Sequence, residues 1–138
     1  MPHQVFIDTS AWISYFLSGQ PKHSIIRKLI KKLVKEGSIY TSNDVVDETV
    51  TRLLYDTNLK ITEKFIDLIK EGIKTNSLIQ FWIDEEIQNE GFELVQKFSE
   101  HKLSLTDCTT IALIKKHSIE SVISLDSDFK KVGVSTLP

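Results

Sequence analysis

Short continuous apolar runs alternate along this chain with stretches of helical spacing, and that alternation sharply limits what it can fold into. Val5-Phe6-Ile7 is apolar without alternation, the pattern of a strand covered on both faces. Ser38 to Thr41, Leu78 to Trp82 and Ser121 to Leu125 read as further strands, and Val132 to Val134 as a short fifth. After the first run, Trp12, Ile13, Phe16 and Leu17 make a short amphipathic turn that Thr9 or Ser10 can cap, broken at Gly19 and Pro21. Ile25, Ile26, Leu29, Ile30, Leu33 and Val34 then recur at helical spacing as far as Gly37. Ser42 or Asn43 caps a helix bearing Val45, Val46, Val50, Leu53 and Leu54, and another helix from about Thr62 bears Phe65, Ile66, Ile69 and Ile73. Asp84 opens a helix with Ile87, Leu94, Val95 and Phe98, and Thr106 caps one with Ile111, Ala112 and Ile114. Strands separated by helices cannot pair as hairpins. They must run parallel through right-handed crossovers that place helices on both faces of one sheet. The predicted fold is therefore α/β, a three-layer α/β/α sandwich with a central, mainly parallel sheet.

With 138 residues, 41% of them hydrophobic and 26% charged, the chain suits a single domain over residues 1–138 and not a disordered segment. No internal repeat, low-complexity tract or linker divides it. Its 17 Lys and Arg against 19 Asp and Glu leave a formal charge of −2. That balance excludes binding of nucleic acid by bulk positive charge, but not a nucleic-acid enzyme, which needs only a local basic rim. Cys108 is the single cysteine, so no intrachain disulfide forms. His3, His23, His101 and His117 are too scattered to suggest a zinc site. Nothing at the N terminus resembles a signal peptide, and no apolar run approaches the roughly 20 residues that span a bilayer. A soluble cytoplasmic domain is expected.

The acidic residues fall where such a sheet binds ligands, beyond the carboxyl ends of its strands. Asp8 follows the first strand, Asp126 follows the fourth, and Asp107 lies in the first turn of the helix that feeds the fourth. Carboxylates brought together repel unless a cation sits between them, and Mg²⁺ or Mn²⁺ prefers oxygen ligands of this kind. A carboxylate set without His or Cys points to phosphodiester chemistry. Each residue has a plainer reading. Asp8 could be a turn former, Asp107 a favourable charge at a helix start, and Asp126-Ser127-Asp128 an acidic turn. At about 100° per residue, Glu48 lies nearly opposite the stripe of Val46, Val50 and Leu53. Spacing alone makes it a solvated partner for Arg52.

Four blocks in order resemble the PIN-domain family, the nuclease fold of VapC-type toxin–antitoxin ribonucleases. They are Val5-Phe6-Ile7-Asp8-Thr9-Ser10, Thr41-Ser42 through Val46-Asp47-Glu48-Thr49, Leu103 to Cys108 with Ile111-Ala112-Leu113, and Ile123 to Phe129. The resemblance implies an acidic pocket of Asp8, Glu48, Asp107 and Asp126. Asp8 and Asp107 would be the main Mg²⁺ or Mn²⁺ ligands, Glu48 and Asp126 would complete the site directly or through water, and Asp128 would supplement it. Thr9, Ser10, Thr106 and Ser124 match family hydroxyl positions that orient carboxylates or waters; helix capping or strand filling is the plainer role for each. The function implied is metal-dependent endonucleolytic cleavage of single-stranded RNA, leaving 5′-phosphate and 3′-hydroxyl ends. It further implies a small antitoxin partner that occludes the pocket, and a homodimer. The alternative is a non-catalytic RNA-binding or protein-docking module on the same fold. Phosphoryl transfer through an aspartyl nucleophile fits less well, because Ser10 stands where that chemistry usually has a second acid.

Other features have structural explanations that compete with functional ones. Lys22, Arg27, Lys28, Lys31, Lys32 and Lys35 crowd one helical segment, which could line a nucleic-acid path but reads first as a solvated face. Lys115-Lys116-His117 and Lys130-Lys131 flank the third and fourth acidic blocks. Trp12, Tyr15 and Phe16 could stack a base, with core packing favoured for Trp12 and Phe16. Cys108 reads as a small buried hydrophobe.

Overall fold

The computed structural model describes residues 4–138. Strand β1 (Val5–Ile7) runs into α1 (Thr9–Phe16), and α2 (His23–Glu36) leads to β2 (Ile39–Ser42). Helices α3 (Asn43–Asp56) and α4 (Leu59–Lys74) precede β3 (Leu78–Phe81). Next come α5 (Glu85–Lys97), a 3₁₀ turn at Ser99–His101, α6 (Leu105–Lys116) and β4 (Ser121–Ile123). The chain closes with α7 (Asp128–Lys131) and β5 (Thr136–Leu137). The strands form one sheet in the order β3-β2-β1-β4-β5, with every pairing parallel. Val5, Phe6 and Ile7 are fully buried, as their unbroken apolar run requires of a central strand with helices on both faces. Among the described residues, no helix is long and apolar enough to cross a membrane.

Helix starts are set by side chains that accept the orphan N–H groups of the first turn. Ser42 accepts from the Val45 N–H at 3.2 Å, Asn58 from Ile61 at 2.9 Å and Asp84 from Ile87 at 2.9 Å. The Asn58 cap explains why α4 begins at Leu59 and not near Thr62. Two expected caps are displaced upstream. Asp8, rather than Thr9 or Ser10, caps α1, and Ser104, rather than Thr106, caps α6 through a reciprocal capping box with Asp107.

The expected strand at Val132 to Val134 does not form; β5 is Thr136–Leu137 instead. The N–H groups of Gly133 and Val134 return to the carbonyls of Lys130 and Phe129, at 3.1 and 3.0 Å, in a Schellman ending of α7. Gly133 holds φ at +86°, a conformation that glycine adopts without strain. Those N–H groups are thereby lost to the sheet.

The basic stretch of α2 is a solvated face. Ile26, Ile30 and Leu33 are buried, whereas Lys28, Lys31, Lys32 and Lys35 are exposed. Trp12, Tyr15 and Phe16 belong to the core region, where Trp12 and Phe16 both meet Phe65 edge-on, with centroids 5.4 and 5.8 Å away. Helices α5 and α6 pack closely at Gly91, where an added Cβ would lie 2.7 Å from Thr109 Cγ2 and 3.2 Å from Leu105 Cδ1. Overpacking there costs about 1–3 kcal/mol and outweighs the helix-propensity gain of about 1 kcal/mol. Gly91→Ala is therefore expected to lower the melting temperature by a few degrees, as a thermal melt would show.

Candidate active site

From β1 the chain moves to β2 and β3 on one side, then returns to place β4 and β5 on the other. The carboxyl ends of β1 and β4 thus flank the switch point where open α/β sheets bind ligands. A cavity of about 260 Å³ opens there, lined by Asp8, Glu48, Asp107 and Asp126 among others. Four separate segments supply these acids: the end of β1, α3, the first turn of α6, and the loop after β4.

Asp8 is the most constrained of them. It is 7% exposed, and its Oδ1 accepts from the Ser10 N–H at 2.6 Å and the Ser10 hydroxyl at 3.0 Å. Its Oδ2 accepts from the Ser124 hydroxyl at 2.7 Å. Ser10 and Ser124 also fasten the loop after β4, accepting the N–H groups of Leu125 and Asp126, each at 2.9 Å. Burial pushes the Asp8 carboxyl up to about 6 against the opposing pull of the Ser124 and Ser10 hydrogen bonds, and the charge of Asp107 adds to the rise. Ser124→Ala removes the largest of those opposing bonds. The Asp8 pKa is then expected to rise further, as NMR titration of its carboxyl carbon would show.

Asp107 serves two purposes at once. Its Oδ2 accepts the Ser104 N–H at 3.1 Å while its own N–H donates to Ser104 Oγ at 3.0 Å. Burial raises its pKa, the Ser104 bonds pull it down, and the charges of Asp126 and Asp128 raise it further. Asp126 accepts the Asp128 N–H at 2.9 Å. Asp128 does not line the cavity, and its carboxylate faces Lys131 Nζ at 3.4 Å. Among the described residues, no group of three or more His, Cys, Asp or Glu side chains stands close enough to hold one metal ion. The acids share a cavity but are not drawn together around a point.

Glu48 reaches this cavity because the buried stripe of α3 is Val45, Thr49 and Leu53, not Val46, Val50 and Leu53. Thr49 is buried with its hydroxyl donated to the Val45 carbonyl at 2.7 Å, which lets a polar residue occupy the core face. That rotation leaves Glu48 beside the core stripe rather than opposite it. Arg52 lines the same cavity. Among the described residues these two form no ion pair, contrary to the pairing that spacing suggests.

Thr9 and Thr106 also line the cavity; the Thr9 hydroxyl is buried without a hydrogen-bond partner among the described residues. Thr110, one turn after Asp107, lines it too and was not signalled by the sequence reading. Cys108 is buried, and burial followed by the Asp107 charge pushes its thiol up, so it is inert. The histidines stand apart: His23 Nδ1 lies 2.6 Å from the Ser14 carbonyl oxygen, His117 stacks on Phe81 at 4.0 Å, and His101 meets Phe98 at 6.3 Å. His3 lies outside the described residues.

The donor set suits a hard divalent cation: carboxylates and hydroxyls, with a buried Asp8 whose charge is costly without a counterion. Comparison with known proteins agrees with the fold. The chain is 24% identical over 130 residues to the 23S rRNA-specific endonuclease VapC20 of Mycobacterium tuberculosis, covering 94% of each. It is also 24% identical over 151 residues to ribonuclease VapC6 of Methanocaldococcus jannaschii, covering 95% of this chain and 94% of that one. The crystal structure of M. tuberculosis VapC20, described as a sarcin–ricin-loop-cleaving toxin, superposes with a TM-score of 0.83 at 22% identity, covering 95% and 96% of the chains. FitAcB from Neisseria gonorrhoeae superposes at 0.65 with 18% identity, covering 98% and 97%. The family model for the PIN domain matches residues 5–135, nearly the whole length, and the chain belongs to the PIN-domain family.

Proposed function

We propose that this protein is a metal-dependent endoribonuclease that hydrolyses phosphodiester bonds of single-stranded RNA in the cytoplasm, as the toxin of a toxin–antitoxin pair. The observation that carries this reading is one cavity at the switch point, lined by acids from four segments and, among the described residues, by no His or Cys. Asp8 and Asp107 would hold Mg²⁺ or Mn²⁺, with Glu48 and Asp126 completing the site directly or through water and Asp128 as an outer supplement. When bound, such an ion supplies positive charge for a phosphate in flight and acidifies a water. The chain's own part is positional. Ser10 and Ser124 fix both Asp8 oxygens, and Ser104 fixes one oxygen of Asp107. Hydrolysis would leave 5′-phosphate and 3′-hydroxyl ends. Likeness to a solved toxin–antitoxin complex from Klebsiella pneumoniae supports a small antitoxin as partner. A homodimer is part of the same proposal.

A non-catalytic RNA-binding or protein-docking module is favoured by one observation, that no three acids are gathered at metal-binding distance among the described residues. Incubation of mixed cellular RNA with wild type and with Asp107→Asn, each with Mn²⁺ or EDTA, separates the two readings. Cleavage confined to wild type with Mn²⁺ is expected. RNA binding without cleavage, insensitive to EDTA and to Asp107→Asn, would favour the module.

A further inference from the structure

We infer that Arg52 grips the substrate backbone, holding a phosphate next to the one cleaved; this rests on the ribonuclease reading above. Among the described residues that line the acidic cavity, Arg52 is the one cation. It stands on α3 one turn after Glu48, yet it forms no ion pair with that residue or with another acid of the cavity among the described residues. The other arginine and the lysine nearest the fourth acidic segment have partners within the fold. Arg27 donates to the Tyr15 carbonyl at 3.2 Å and lies 4.8 Å from the Tyr15 ring centre, and Lys131 meets Asp128. Arg52 has no such role, and it is exposed, so its guanidinium is available to a ligand.

The chemistry that fits it is a phosphodiester. A guanidinium offers five N–H donors in a planar fork that matches two phosphate oxygens. Four carboxylates at one cavity repel a polyanion, and one cation at their margin offsets that repulsion where the backbone enters. Four helical residues advance about 6 Å along the axis, so Arg52 is rooted beside the acidic end and not at it. A neighbouring phosphate is therefore its target. Lys31 and Lys35 of α2 line a separate apolar cavity with Val34, Leu68 and Leu78, and none of the α2 lysines lines the acidic one.

The test uses Asp107→Asn, which is expected to bind RNA without cutting it, and a fluorescent unstructured oligoribonucleotide in Mn²⁺. Binding is followed by anisotropy between about 50 and 200 mM salt. Adding Arg52→Gln should weaken binding about tenfold and reduce the slope of log affinity against log salt by about 0.7, the loss of one single-strand phosphate contact. Arg52→Lys should keep most of that slope while recovering only part of the affinity. With the other residues intact, Arg52→Gln should raise KM far more than it lowers kcat.

Unchanged affinity and slope would overturn the assignment while wild-type cleavage leaves the ribonuclease reading standing. So would an altered Mn²⁺ affinity by calorimetry with RNA binding intact, which would make Arg52 a counterion for the acids. If wild type cuts no RNA and Asp107→Asn binds none, the ribonuclease reading falls and the Arg52 role with it.

Discussion

Asp8→Asn is expected to stabilise the metal-free protein at neutral pH. Asp8 is buried and its carboxyl sits near 6 in place of the ordinary 3.8, so keeping it ionised in the fold costs about 3 kcal/mol. A carboxylate with a raised folded pKa contributes stability at low pH and loses it as pH climbs through the folded value. Wild type in EDTA should therefore lose this contribution progressively between about pH 4 and pH 6, and lack it above. Asn keeps an oxygen for the Ser10 N–H at 2.6 Å, and its amide can donate to Ser124 Oγ, so the geometry around position 8 survives. In EDTA the variant should melt several degrees above wild type at pH 8, with the gap closing by pH 4. An equal gap at both pH values would assign the effect to packing and not to the charge. Mn²⁺ should raise the melting temperature of wild type far more than that of the variant.

Trp12→Ala should be the most damaging single change to the fold. Trp12 is fully buried four residues after Asp8, and its ring meets Phe65 of α4 edge-on. Its indole N–H points to Thr41 Oγ1 at 3.4 Å, and that hydroxyl donates to the Ile7 carbonyl at 3.2 Å. One side chain thus ties α1 to α4 and to the carboxyl ends of β1 and β2, where the cavity opens. Truncation should cost about 3–5 kcal/mol, and Trp12→Phe about half that, by denaturant titration. A loss under about 1 kcal/mol for the alanine variant would mean that α1 is not anchored this way.

The parallel sheet was legible because β1, covered on both faces, is continuously apolar, and because helices separate it from the later strands, which rules out hairpins. β5 was not, since two half-buried residues carry no periodicity, while Val132 and Val134 are apolar because they pack from the Schellman turn against the core. Acids after β1 and β4 were legible from topology alone, because chain direction sends both to one edge. Spacing rightly made Glu48 exposed but put it on the wrong side of α3, because Thr49 is polar by composition yet core by position. Arg52 was visible only as a neighbour of Glu48. Spacing gives no sign that an i,i+4 pair of opposite charge stays open.

The most direct test of the account is where Mn²⁺ binds. Crystals grown with Mn²⁺ should show an anomalous peak in the cavity at the switch point, within coordination distance of Asp8 and Asp107, and no such peak in Asp107→Asn. Full Mn²⁺ occupancy elsewhere on the molecule, or an empty cavity in a preparation whose RNA cleavage depends on Mn²⁺, would contradict it.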